Sequence, residues 1–198
     1  MSVVLIAGSP STHSRSSALL EAVGAGLQRQ AGARRVPVDR VHIRDLSPQA
    51  LVLADASHGS IARAIAQVAA AKAVVVATPV YQAAYSGVLK TFLDLLPQSA
   101  LRGKAVLPLA TGGSPHHMLA LDYALRPVLQ SLGARHILPG VYACDAQVQR
   151  EDSGAYRIDA DVRARLDDGV NALLQEGLRR DPLATFEPVS FSDVRYSH

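Results

Sequence analysis

The sequence predicts an α/β fold, a doubly wound sheet of five parallel strands in the order 2-1-3-4-5 with helices on both faces. Three observations carry it. Short β-branched runs alternate five times with segments of helical period. The first and third runs, Val3-Val4-Leu5-Ile6 and Ala73-Val74-Val75-Val76-Ala77, are continuously apolar, as strands buried on both faces are. Three polar loops rich in Ser, Gly or Pro follow the first, third and fourth runs. Those are the positions where a sheet of this order gathers a ligand, beyond the carboxyl ends of its strands at the switch point.

Taken in order, Ser2–Ala7 is the first strand and a helix runs from about Ser16 to Gln30, with Leu19, Leu20, Val23 and Leu27 on one side. Val36–Ile43 alternates as a more exposed second strand, and Arg44–Asp55, which contains Pro48, reads as irregular. Ser57 is placed to cap a helix through Ala71 with Ile61, Ile65 and Val68 on its apolar face. Ala73–Ala77 is the third strand, ended by Pro79, which cannot donate to a ladder. A third helix spans Gly87–Leu96 and stops at Pro97; Lys104–Ala110 is the fourth strand. Ser114 or Pro115 opens a helix to Leu132, which Pro127 interrupts with a kink or a π-bulge. The fifth strand, Arg135–Leu138 and Val141–Ala143, breaks at Pro139-Gly140, and Asp161–Leu178 is the last helix.

The 198 residues read as one domain over residues 1–180 with a C-terminal tail over 181–198, either mobile or in contact with a partner. With 48% hydrophobic residues the chain has material for a core, and 19% charged residues argues against disorder. The net charge of +3 is spread in Lys/Arg runs no longer than two, which does not argue for nucleic acid. A single cysteine, Cys144, rules out an internal disulfide framework and reads as a buried structural thiol. The amino terminus has no basic n-region, and no apolar run approaches the roughly 20 residues of a membrane span, so the expected location is the cytoplasm, with no membrane partner.

The chemistry is carried by the loops. Gly8 to Ser17 holds Ser9, Ser11, Thr12, Ser14, Ser16 and Ser17 with Arg15 at the start of a helix. Unpaired N–H groups and a positive dipole end bind phosphate there, and Arg15 adds a charged fork. The same loop without a ligand is a polar turn with a serine cap. It matches neither the G-x-G-x-x-G fingerprint nor a P-loop. Residues 79–87 carry Tyr81 and Tyr85, which form either one wall of a planar-ligand site or an interface. Ala110-Thr111-Gly112-Gly113 either presents N–H groups to a ligand or is a tight turn. His116-His117 point about 100° apart on a helix, a poor chelate, so no metal site is expected. G-x-S-x-G is absent, and no hydrolase triad is expected.

With those residues in view, the chain resembles the NADPH-dependent FMN reductase family, and within it the FMN reductases of two-component alkanesulfonate monooxygenase systems. The resemblance rests on Ala7-Gly8-Ser9-Pro10, Ser14-Arg15-Ser16-Ser17, Ala77-Thr78-Pro79-Val80-Tyr81, Ala83-Ala84-Tyr85-Ser86-Gly87 with Lys90-Thr91, Ala110-Thr111-Gly112-Gly113, and Asp122-Tyr123-Ala124-Leu125 with Pro127-Val128-Leu129. It covers roughly residues 3–148. It implies a flavodoxin-like fold and a homodimer or homotetramer that reduces FMN with NADPH, NADH being possible, and releases reduced FMN to a flavin-dependent monooxygenase. Ser9, Ser14, Arg15, Ser16 and Ser17 match the FMN-phosphate loop. Pro79, Val80, Tyr81, Ser86 and Gly87 match the isoalloxazine loop, so that Gly87→Val should harm FMN binding more than folding. Thr111, Gly112 and Gly113 match the loop at the flavin pyrimidine edge. Tyr123 matches an inserted residue that forms a π-helix at the tetramer interface, and Tyr85 is assigned to an interface as well. Gln82 departs from the pattern, standing where a basic residue can occur.

In this scheme the flavin carries the hydride chemistry, and no catalytic side-chain acid or base is required. Two rival functions share the fold. One is a flavoprotein with tightly bound FMN that reduces quinones, azo dyes or metal ions. The other is a non-catalytic electron carrier of the flavodoxin kind, against which the positive net charge weighs, since such carriers are usually acidic.

Overall fold

Alternate residues of the central strands face opposite ways, and that alternation builds two cores. The computed structural model describes residues 2–32 and 36–178. Its main sheet joins β1 (Val3–Ala7), β2 (Val38–His42), β3 (Ala73–Tyr81) and β5 (Ala105–Gly112) in the order β2-β1-β3-β5, all parallel. On one face Val3, Leu5, Val75 and Leu107 pack against α1 (Arg15–Gln30) and α6 (Ala160–Ala172), through Leu19, Val23, Leu27, Leu166 and Val170. On the other, Val4, Ile6, Val74 and Val76 pack against α3 (Gly59–Ala70), α4 (Gly87–Leu93) and α5 (Arg126–Ser131), through Ile61, Val68, Leu89, Phe92 and Leu129. Each such side chain, removed from water, stabilises the fold by roughly 1.5–3 kcal/mol. This is the doubly wound 2-1-3-4-5 arrangement that the sequence predicts.

The fifth strand is split, as Pro139-Gly140 suggests. β6 (His136–Ile137) pairs with the start of β5 and β7 (Val141–Cys144) with its end. Pro108 lies opposite the break, closely packed on Gly140. The segment at residues 115–132 is three pieces: a 3-10 turn at Pro115–Met118, a π-helix at Leu121–Leu125, and α5 with Pro127 in its first turn. The expected irregularity before Pro127 is therefore the π-helix, and Tyr123 at its centre is 79% exposed.

Several boundaries differ from expectation. Pro79 does not end the third strand. β3 continues to Tyr81, with Pro79 in register with Thr111, and turns back through Gln82-Ala83 into β4 (Ala84–Tyr85). The φ angles of Gln82 and Ala83, +47° and +60°, are those of a tight hairpin turn whose twist matches its strands. β1 ends opposite Ala77, so Pro79 stands where one edge of the strand is free, a place where proline is tolerated. Arg44–Asp55 is not irregular: it holds a 3-10 turn, Ile43–Asp45, and α2 (Pro48–Val52), capped by Ser47 Oγ on the Ala50 N–H at 3.2 Å, with Pro48 in its first turn. Ser57 does not cap α3. His58 Nδ1 accepts from the Ser60 N–H at 3.3 Å, while Ser57 turns to Asp55 at 2.6 Å. α4 ends at Leu93 and α6 passes into a second π-helix, Leu173–Gly177. A hairpin of β8 (Val148–Arg150) and β9 (Tyr156–Ile158) was not foreseen. Cys144 is partly exposed at the end of β7 rather than buried. The tail over 181–198 lies outside the described residues.

Among the described residues, no helix is long and apolar enough to cross a membrane.

Candidate functional site

The loop after β1 folds on its own hydroxyls. Ser9 Oγ accepts from the Ser11 N–H at 3.2 Å; Ser11 Oγ accepts from the His13 N–H at 3.2 Å and donates to the His13 carbonyl at 2.8 Å. Ser14 caps α1, its Oγ accepting from the Ser17 N–H at 3.3 Å and lying 2.9 Å from Ser16 Oγ. Such bonds hold the loop in one shape at a helix N-terminus, where backbone N–H groups and the dipole favour an anion. Arg15 leans on the far side: its Nε donates to the Val148 carbonyl at 3.0 Å, and Nη1 lies 3.6 Å from Asp145 Oδ2.

A cleft of about 210 Å³ opens beyond the carboxyl ends of the strands. Ser9, Ser11, His13, Ser14 and Arg15 form one side, Pro79, Val80 and Tyr81 another, and Thr111, Gly112 and Gly113 a third, with Asp145 closing the rim. Tyr81 is half exposed at the edge, held out by the β3–β4 hairpin.

The loop after β5 is shaped by missing side chains. A Cβ on Gly112 would lie 2.8 Å from Tyr142 Oη and 3.3 Å from Val80 Cβ, so only glycine fits there. Around Gly113 a Cβ would meet nothing within 4 Å, which leaves its backbone open to a ligand. Tyr142 Oη donates to the Ser114 carbonyl at 2.5 Å, and burial, helped by Cys144 and Asp145, pushes its phenol up to about 12. His117 Nδ1 lies buried near Gly112 with no hydrogen-bond partner among the described residues.

Nine of the sequence-selected residues thus line one cleft: Ser9, Ser14, Arg15, Pro79, Val80, Tyr81, Thr111, Gly112 and Gly113. Ser16, Ser17, Ser86 and Gly87 do not line it. Ser16 is buried beneath the loop. Ser86 is buried too, capping α4 by accepting from the Leu89 N–H at 3.2 Å and donating to the Gly8 carbonyl. Gly87 is exposed at the start of α4, with open space where a Cβ would stand, and lies outside the residues that line the cleft. Tyr85 is half-buried against the core, where burial raises its phenol above the ordinary range. Lys90 is engaged by Asp94 at 2.7 Å. Ser11, one of the loop hydroxyls, also lines it, and so do His13 and Asp145, which the sequence does not single out. Asp145 follows directly on the carboxyl end of the last parallel strand, and that position was the signal available for it.

A doubly wound sheet with a prefolded anion loop at its switch point defines an α/β protein built to hold a phosphorylated ligand. The model of the NADPH-dependent FMN reductase family matches residues 1–149, and the chain belongs to that family. It is 43% identical over 181 residues to an FMN reductase (NADPH) of Escherichia coli (strain K12), covering 91% of this chain and 92% of that one. It is 49% identical over 148 residues to an FMN reductase (NADPH) of Pseudomonas putida (strain KT2440), covering 75% and 73%. Among solved structures, an NADH:FMN oxidoreductase (EMOB) in its apo form superposes with a TM-score of 0.75 at 43% identity, covering 86% of each chain.

Proposed function

We propose that this chain is a NAD(P)H-dependent FMN reductase that takes FMN as a dissociable substrate and supplies reduced FMN to a flavin-dependent monooxygenase of the alkanesulfonate type. The convergence of the three loops on one cleft carries the proposal, because each offers what a different part of FMN needs. Ser9, Ser11, Ser14 and the start of α1 offer hydroxyls and N–H groups to the phosphate, with the Arg15 charge beside them. Pro79, Val80 and Tyr81 offer a flat wall to the ring, and the open backbone at Gly113 a polar edge. The relatives' names, two of them FMN reductases (NADPH), support the activity.

FMN, when bound, would supply the hydride chemistry. The chain's part is to bind, orient and stabilise. The three loops would hold the phosphate and one edge of FMN and leave a ring face for the nicotinamide. Backbone N–H groups at Gly112-Gly113, which line the cleft, would oppose negative charge at the pyrimidine edge. Ser16, Ser17 and Ser86 act from behind, by bracing the phosphate loop and α4.

The enzyme works in the cytoplasm, beside the NADPH pool, as a homodimer or homotetramer. Exposed Met118, Leu119 and Tyr123 around the π-helix, with Tyr85 half-buried nearby on β4, support self-association. Steady-state oxidation of NADPH and of NADH, with FMN, FAD and riboflavin varied, tests the proposal. Saturable oxidation dependent on added FMN is expected, and the two donors' rates decide between NADPH and NADH. A purified yellow protein that reduces quinones without added flavin would replace it with the tightly bound flavoprotein, and absence of NAD(P)H oxidation would leave only a carrier.

A further inference from the structure

An anionic side chain stands in the cleft that the phosphate is to enter. Asp145 closes the rim of the cleft that Ser9, Ser11, Ser14 and Arg15 line. Its Oδ2 lies 3.6 Å from Arg15 Nη1, too long for a hydrogen bond, so the contact is one of charge. Arg15 does not depend on it for orientation. The Arg15 Nε donates to the Val148 carbonyl at 3.0 Å, which fixes the guanidinium from the β8 strand.

We infer that Asp145 is an affinity-limiting residue, which keeps the flavin phosphate weakly held so that FMN exchanges rather than staying bound. The inference rests on the FMN reading of the cleft. Two effects act in the same direction. The carboxylate repels a phosphate bearing about 1.5 to 2 negative charges. It also engages the Arg15 charge beforehand, so the incoming phosphate exchanges one anion for another rather than meeting a free cation. Both side chains are 40–47% exposed, so solvent screens the effect and keeps it modest. A reductase that hands its product to a second enzyme benefits from such a residue, since tight phosphate binding would retain the reduced flavin.

The test is equilibrium binding of oxidised FMN and of riboflavin, followed by quenching of flavin fluorescence, for the wild type, Asp145→Asn and Asp145→Glu. Removal of the charge is expected to lower the FMN Kd about threefold to tenfold. Riboflavin, which lacks the phosphate, should bind both proteins alike, and Asp145→Glu, which keeps the charge, should bind FMN as the wild type does. The gain in Asp145→Asn should shrink as salt is raised. An FMN Kd unchanged or raised in Asp145→Asn would overturn the inference and make Asp145 a support for Arg15. Equal tightening of riboflavin would overturn it as well. A wild type that binds neither flavin overturns the FMN reading itself, and the role of Asp145 with it.

Discussion

The buried Ser86 hydroxyl donates to the carbonyl of Gly8 while accepting from the Leu89 N–H at 3.2 Å. One side chain therefore caps α4 and ties that helix to the root of the loop after β1. Ser86 also donates its own N–H to Thr78 Oγ1 at 3.0 Å, so the β3 and β1 loops share a single anchor. Ser86→Ala removes the cap and orphans a buried carbonyl. Stability in urea should fall by roughly 1–3 kcal/mol. FMN affinity should fall too, although Ser86 does not line the cleft. Affinity unchanged after correction for unfolded protein would show that the anchor serves folding alone.

Gly112 and Tyr142 share one volume. Gly112→Ala puts a methyl 2.8 Å from Tyr142 Oη and should break the bond from that hydroxyl to Ser114. The loop at the rim moves, and FMN Kd should rise about tenfold, or roughly 1.4 kcal/mol. Tyr142→Phe removes the clashing oxygen, so the double variant should recover part of the loss, a coupling that a double-mutant cycle measures. Additive losses would mean that the two positions act independently.

The same phenol sets a pH dependence. Tyr142 ionises at about 12 in the fold, above the ordinary value of 10, chiefly because it is buried. Above pH 10 the unfolded chain gives up this proton and the folded chain keeps it, so the unfolded state binds fewer protons and stability falls with rising pH. The contribution is whole below pH 10 and is lost as pH rises toward 12. Thermal denaturation of the wild type should show a steeper fall across that window than Tyr142→Phe, and parallel curves would contradict the assignment.

Gly87 offers a negative control. It opens α4 without a left-handed φ, and a Cβ there meets nothing within 4 Å. Gly87→Ala should stabilise the chain by up to about 1 kcal/mol through the unfolded state. FMN Kd should stay within about twofold of the wild type. A large loss of flavin binding would restore this glycine to the site.

What was legible followed from short-range pattern. The continuous apolar runs of β1 and β3 specify strands buried on both faces, and the loops after them fall where that topology gathers a ligand. The β3–β4 hairpin was hidden because Gln82-Ala83 takes left-handed angles without the Asn-Gly or Asp-Gly pair that usually announces such a turn. Glycine in a loop reads as a close-approach position, and the pattern does not reveal that Gly87 also begins a helix. Asp145 escaped notice because its partner, Arg15, lies at the opposite end of the sequence, and no local spacing records a contact made by tertiary folding. Serines 16 and 17 match a phosphate motif, and the contacts of Ser16 Oγ and the Ser17 N–H with Ser14 Oγ are ones that composition does not carry.

As a reductase site, this cleft should hold FMN long enough to be reduced and then let it go. The direct measurement is an anaerobic single turnover of the purified chain with FMN and excess NADPH, followed by ultrafiltration. The visible absorbance of oxidised flavin should bleach, and the reduced FMN should pass into the filtrate. Unbleached flavin, or reduced flavin retained with the protein, would contradict the account.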